Sequence, residues 1–107
     1  MPNGSNVEHE IVWRPKARED LYAIYDWIAD RVDAETAFHY TLRIEAFAGR
    51  LRHYPNRGTP RFETMTGLRT FTFERRIILA YRVENGEVHI LRLIPAARDF
   101  AGAFRGE

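Results

Sequence analysis

The sequence predicts an α+β domain: an antiparallel helical hairpin packed on a small antiparallel sheet of about four strands, in the order β-α-α-β-β-β. Three observations carry this reading. Asn85-Gly86 sits between two runs rich in β-branched and aromatic residues, and a type I′ turn needs two residues with positive φ. Two stretches with helical apolar spacing precede that hairpin. Pro55, Gly58, Pro60 and Gly67 separate the helical half from the strand-rich half.

Residues 1–8 are polar, contain a Pro and a Gly, and read as a flexible start; residues 9–107 read as a single domain. His9 to Trp13 is a short strand candidate with Ile11 and Trp13 on one side. Pro15 opens a helix at a position where its missing N–H costs nothing. Leu21, Ile24, Tyr25 and Ile28 form its apolar stripe, extended by Ala17 and Val32, over about residues 15–31. Glu19, Asp20, Asp26 and Asp30 fall largely off the stripe and read as a solvated face. Asp33 suits an N-cap for a second helix, with Glu35 in the first turn to complement the helix dipole. Ala37, Thr41, Ile44, Ala48 and Leu51 form the inner stripe, and Tyr54-Pro55 stops the helix. Residues 55–66 form a loop, Leu68 to Phe73 a strand, and Glu74-Arg75 a turn. After Pro95 the pattern fits either a short helix to about Phe104 or a loose tail.

A two-residue turn fixes the register of the hairpin: Val83 faces Val88, Tyr81 faces Ile90 and Leu79 faces Arg92. One face then carries Ile77, Leu79, Tyr81, Val83, Val88, Ile90, Arg92 and Ile94. The other carries Ile78, Ala80, Leu91 and Leu93, with Arg82 and His89 near the turn. Both faces are largely apolar, whereas a solitary antiparallel sheet usually shows water a polar face. Two helices cover one face only, so the second face is expected to await a partner.

A chain of 107 residues is one domain that buries roughly two-thirds of its unfolded surface. It has no cysteine, so disulfides, thiolate nucleophiles and thiolate metal sites are excluded. No apolar run reaches the length of a bilayer crossing or a signal-peptide core, so a cytoplasmic protein without membrane contact is the expectation. The net charge is +1, but the charge is skewed: of 16 basic residues only Lys16 is Lys. Arg50, Arg52, Arg57, Arg61, Arg69, Arg75, Arg76 and Arg82 face only Glu63 and Glu74 in the same stretch, while acids concentrate in residues 8–45. A basic second half suits an anionic partner, either nucleic acid or an acidic peptide. Codon bias toward Arg accounts for many of these residues without any function.

Most catalytic constellations are absent. His9, His39, His53 and His89 are scattered without ligand spacing, so no metal or other cofactor is expected. Ser5 is the only serine, and no Gly-rich phosphate loop occurs. What remains is arginine chemistry: guanidinium groups clamp phosphates but do not act as bases. A ribonuclease built on Arg69, Arg82 and Arg98 needs a further group to activate a 2′-OH, and His89 and Tyr81 are the strand-borne candidates. Tyr81 is better read as core, opposite Ile90.

The pattern resembles the RelE/ParE toxin superfamily, on its ParE-like side, over nearly the whole chain. The resemblance rests on Ala17-x-x-Asp20-Leu21-x-x-Ile24-x-x-Trp27-Ile28-Ala29, on Ala37, and on Leu51-x-x-Tyr54-Pro55-x-x-Gly58. It continues with Gly67-Leu68-Arg69, Tyr81-Arg82-Val83, Val88-x-Ile90-Leu91-Arg92-Leu93-Ile94 and Ala97-Arg98-Asp99. It implies the toxin of a type II toxin–antitoxin (plasmid stabilisation) system, held in a hetero-oligomer by a ParD-like antitoxin whose disordered segment folds on binding. ParE-like members of the superfamily poison DNA gyrase. RelE-like members cut mRNA on the ribosome with Lys, Arg and a C-terminal Tyr. Lys16 is the only lysine here and the tail offers Phe100 and Phe104 in place of Tyr, which favours the non-enzymatic branch. Pro95 stands where many relatives carry His, and Arg14 stands at a helix cap where relatives often carry Ser. Under this reading Arg69, Arg75, Arg76, Arg82, Arg92, Arg98 and Phe100 are the expected contacts to antitoxin or target; under the ribonuclease alternative, Arg69, Arg82, His89 and Arg98 are the catalytic set.

Overall fold

The computed structural model describes residues 8–97 and 101–104. Strand β1 (Glu10–Trp13) leads into helix α1 (Pro15–Arg31) and helix α2 (Ala34–Gly49), which ends in a single 3-10 turn at Arg50–Arg52. Then follow β2 (Thr59–Pro60), β3 (Arg69–Phe73), β4 (Ile77–Glu84), β5 (Glu87–Pro95) and a 3-10 turn at Ala101–Phe104. The α+β class and the helical hairpin are as the sequence predicts.

Each helix starts for the expected reason. The Arg14 N–H donates to the Ile90 carbonyl at 3.0 Å, and Pro15, with no N–H, ends the β1 ladder and begins α1. The Asp33 carboxylate accepts from the Thr36 N–H at 2.7 Å and so caps α2. That hydrogen bond holds the Asp33 carboxyl below its ordinary range. Ala17 and Leu21 of α1 and Ile44 and Ala48 of α2 join Leu51, Phe73, Ile77, Leu79, Tyr81, Val88, Ile90 and Leu93 in one core. The small residues Ala17, Ala37 and Ala48 are fully buried, which lets the helices lie close to each other and to the sheet.

The sheet differs from the sequence expectation in three respects. It has five strands in the order β1-β5-β4-β3-β2, and its first strand runs parallel to its last, with Ile11 beside Val88 and Trp13 beside Ile90. The additional strand, β2, is a two-residue pairing of Thr59 with Thr70 and Pro60 with Arg69.

The second difference is a bulge. The Asn85-Gly86 turn has φ 50 and 80 and fixes Val83–Val88 and Tyr81–Ile90 as expected. Then Leu91 is skipped: Ala80 pairs with Arg92 and Leu79 with Leu93, not with Arg92. One extra residue in β5 shifts everything after it to the opposite face. Leu93 therefore joins the helix-side core, and Arg92 and Ile94 turn to the far side.

The third difference concerns that far side, which is not an uncovered apolar face. Leu68, Thr70, Ala80 and Ile94 lie on it and are buried. The 61–67 loop folds across it, so that a Cβ on Gly67 (φ +77) would sit 3.2 Å from the Arg82 side-chain carbons. The outer part carries Arg82, His89 and Arg92. The chain's own loop and these charged groups thus do much of what was expected of a partner.

Candidate functional site

A cavity of about 340 Å³ opens where the start of α1 meets this far face. Arg14, Lys16, Arg82 and Arg92 line it together with Pro15, Met65, Leu91 and Phe104. Its chemistry is cationic side chains over an apolar floor, suited to an anionic group carried on an apolar or aromatic body. The bulge at Leu91 matters here, because it turns Arg92 toward the cavity.

Each cation is held by built-in partners. Arg92 makes a bidentate pair with Asp20 of α1, at 2.8 and 3.2 Å, and donates to the Ala103 carbonyl at 3.0 Å. The same Asp20 carboxylate accepts from the Leu93 N–H at 2.9 Å, an edge group that β1 is too short to reach. Asp20 is therefore a structural anchor, with a side chain only 19% exposed, and not part of the solvated face its spacing suggested. Arg82 pairs with Glu84. His89 lies across the ladder from Arg82, with Nδ1 3.4 Å from Arg14 Nη1 and Nε2 2.9 Å from Glu87 Oε1. Arginine only donates, so Nδ1 accepts and the Nε2–H donates to Glu87. Both ring nitrogens are thus occupied.

The expected site residues separate into groups. Arg82, His89 and Arg92 share the far face. Arg69 pairs with Tyr81 in the ladder and so lies on the helix side. Its guanidinium donates to the carbonyls of Asn56 and Gly58 at 3.2 and 3.0 Å and lies over Phe62. The Tyr81 hydroxyl anchors the same loop, donating to the Pro55 carbonyl at 2.6 Å and accepting from the Gly58 N–H at 3.0 Å. Burial pushes the Tyr81 phenol up, against the Gly58 hydrogen bond and nearby Arg69 and Arg57, so it stays a neutral anchor. Arg75 and Arg76 stand exposed at the β3–β4 turn, remote from His89 along the strands. Arg98 and Phe100 lie outside the described residues.

Sequence reading missed Arg14, whose side chain reaches His89, and Asp20, which positions Arg92. It also missed a tier of arginines on aromatic rings: Arg43, Arg50 and Arg57 over Tyr40, Phe47, Phe71 and Phe73. The signal was available only as excess Arg beside aromatics. Among the described residues no group of three or more His, Asp or Glu side chains could hold a metal ion. Among them, too, no helix is long and apolar enough to cross a membrane.

Comparison with known proteins bears on this architecture directly. The family model described as ParE toxin of type II toxin–antitoxin system, parDE, matches residues 11–100. Toxin RelE2 of Caulobacter vibrioides is 37% identical over 89 residues, covering 83% of this chain and 97% of that protein. A chain of the chromosomal ParDE toxin–antitoxin system from P. aeruginosa superposes with a TM-score of 0.73 at 31% identity, covering 82% of this chain and 96% of that one. A chain of the toxin–antitoxin complex RelBE2 from Mycobacterium tuberculosis shares the fold, with a TM-score of 0.63 at 24% identity over 83% of this chain and 99% of that one. With the family model running from within β1 through both helices to the end of β5, the chain belongs to the ParE toxin family of type II toxin–antitoxin systems.

Proposed function

We propose that this toxin is neutralised by a ParD-like antitoxin and acts in the cytoplasm by binding and inhibiting DNA gyrase, in the service of plasmid stabilisation. The observation that carries this reading is the dispersal of the ribonuclease set. Arg69 works on the opposite side of the sheet from Arg82 and His89. Tyr81 is buried and bonded at both lone pair and proton, and His89 has both nitrogens engaged. Among the described residues, none of the sequence candidates for deprotonating a 2′-OH is free to do so. An arginine-lined surface whose one histidine is held between Arg14 and Glu87 favours binding over base catalysis. The ParE-like branch that the sequence resembles supplies gyrase as the target.

The test is a supercoiling assay with relaxed plasmid, purified gyrase, ATP and purified toxin. Supercoiling is expected to stop near stoichiometric toxin and to resume when the antitoxin is added. Normal supercoiling at micromolar excess (well above the concentrations of a specific complex) refutes the target.

A second reading, favoured by the similarity to the protein named Toxin RelE2, is a ribosome-dependent endoribonuclease with Arg69, Arg82, His89 and Arg98 as its catalytic set. Primer extension on mRNA from cells expressing the toxin separates the two, because discrete in-frame cuts belong only to this second reading.

A further inference from the structure

The loop after α2 carries a second basic feature, away from the cavity. Residues 50–62 hold four arginines and no acid, and Tyr54 and Phe62 stand in that stretch with exposures of 67% and 53%. Each of these rings has a guanidinium on it. Arg57 is 5.6 Å from the Tyr54 ring, and Arg69 is 5.5 Å from the Phe62 ring. Arg69 also donates to the carbonyls of Asn56 and Gly58, which flank Arg57, so the two ring–cation pairs share one short piece of backbone. Among the described residues the arginines paired with carboxylates are Arg43, Arg82 and Arg92, not Arg57, Arg61 or Arg69.

The loop is held in place. The Tyr81 hydroxyl pins Pro55 and Gly58, and a Cβ at Gly58 would meet the Thr70 carbonyl oxygen and that hydroxyl at 2.6 Å, so the loop is pressed to the sheet. The Arg61 N–H donates to the Leu68 carbonyl at 2.8 Å and fixes the approach to Phe62. The rings are therefore placed before any ligand arrives, which keeps the ordering cost of binding low. Exposure of a ring alone signals nothing. Trp27 is 59% exposed with Arg31 on it at 4.2 Å, but it stands between Asp26 and Asp30, which oppose an anion. Tyr54 and Phe62 differ in lying within a positive stretch. A flat π-face beside a phosphate-binding fork, repeated along one loop, fits a nucleobase and its phosphate.

We infer that this face of the loop binds single-stranded nucleic acid, with bases stacked on Tyr54 and Phe62 and phosphates on Arg57, Arg61 and Arg69. An acidic protein segment matches the charges but not the two exposed rings, and a duplex keeps its bases stacked on one another and meets the arginines alone. Rings and guanidinium forks respond to base faces and phosphates, not to base edges or the 2′-OH, so DNA and RNA are held alike. The inference goes beyond gyrase binding, and neither result decides the other.

The experiment follows the fluorescence anisotropy of a labelled oligothymidylate of about ten nucleotides, within the site size of single-strand binders, titrated with the intact toxin across a salt series. Oligouridylate of equal length, the matching duplex, and polyglutamate as a competitor run in parallel. Wild-type toxin is expected to bind the single strands with a Kd of about 1–100 μM at physiological salt, the range of sequence-independent binding, and the duplex about fivefold or more weakly, for want of stacking. Tyr54→Leu and Phe62→Leu are each expected to weaken binding about tenfold with the salt slope unchanged, because stacking releases no counterions, whereas Tyr54→Phe keeps the ring and the affinity. Arg57→Ala is expected to make the slope of log K against log salt shallower by about 0.7, the value for one phosphate of a single strand. Arg31→Ala removes the same charge from the helical hairpin and is expected to stay within about twofold of wild type. Tyr54, Arg57 and Phe62 are exposed, and far-UV spectra confirm the variants' folds. No binding of either single strand by about 100 μM toxin, a duplex bound as tightly, leucine variants within about twofold of wild type, a slope untouched by Arg57→Ala, or displacement by polyglutamate as readily as by nucleic acid each overturns the inference. A preference of more than about tenfold between DNA and RNA overturns the sugar-blind platform.

Discussion

Replacing Tyr81 by Phe tests how the loop that follows α2 is held. The side chain is fully buried, and its hydroxyl grips residues 55–58 from β4. Removing the hydroxyl deletes a 2.6 Å bond to the Pro55 carbonyl and a 3.0 Å bond from the Gly58 N–H. Gly58 is buried, and its N–H loses its partner. At roughly 1 kcal/mol for each bond, with a further penalty for the orphaned donor, the variant should lose about 2–3 kcal/mol. In a domain of this size that lowers Tm by on the order of 10 °C. Urea denaturation followed by tryptophan fluorescence measures it. A loss below about 0.5 kcal/mol, the range of an ordinary surface change, would refute the anchoring argument. The sign of the pH dependence gives a second check. Burial raises the folded-state phenol above 10.0, so its stabilising contribution is full below that value and lost as pH rises through the raised folded value. Alkaline destabilisation should therefore be shallower in Tyr81→Phe than in the wild type.

Asp20→Ala should cost about 2–4 kcal/mol in denaturant unfolding, because it takes the carboxylate from a guanidinium that is only 18% exposed and leaves the Leu93 N–H without its acceptor. Arg75→Gly should stabilise the fold by roughly 0.5–1 kcal/mol, since Glu74 and Arg75 occupy a type I′ turn with φ 48 and 61, and glycine adopts that conformation without a Cβ clash; a destabilised variant would show that the Arg75 side chain has a contact that outweighs the strain. Acidification tests the α2 cap: hydrogen bonding to Thr36 depresses the folded-state Asp33 carboxyl below 3.8, so its contribution is present above that value and lost as pH falls through the lowered one. Asp33→Asn, which caps without titrating, should show a weaker acid dependence in thermal melts.

Local chemistry made most elements legible. Pro15, Asp33 and Asn85-Gly86 mark α1, α2 and the hairpin because each acts on its own immediate backbone. The β1–β5 pairing was not legible, because a parallel contact between chain ends leaves no trace in local periodicity. The bulge was invisible for a related reason: Leu91 suits an interior strand position, and only Asp20, holding Arg92 and the Leu93 N–H from another element, favours the shifted register. That single residue moved Leu93 into the core and put Arg92 and Ile94 on the far face, which undid the expected apolar surface there. The site was correspondingly half legible. Arg82, His89 and Arg92 come together, while Arg69 is drawn to the loop carbonyls it stabilises.

The central claim, a toxin that disables gyrase by binding, is tested most directly by plasmid topology in cells soon after the chain is expressed without its antitoxin. Loss of negative supercoiling before any fall in translation is the result this account requires. Plasmids of normal superhelical density in growth-arrested cells would contradict it.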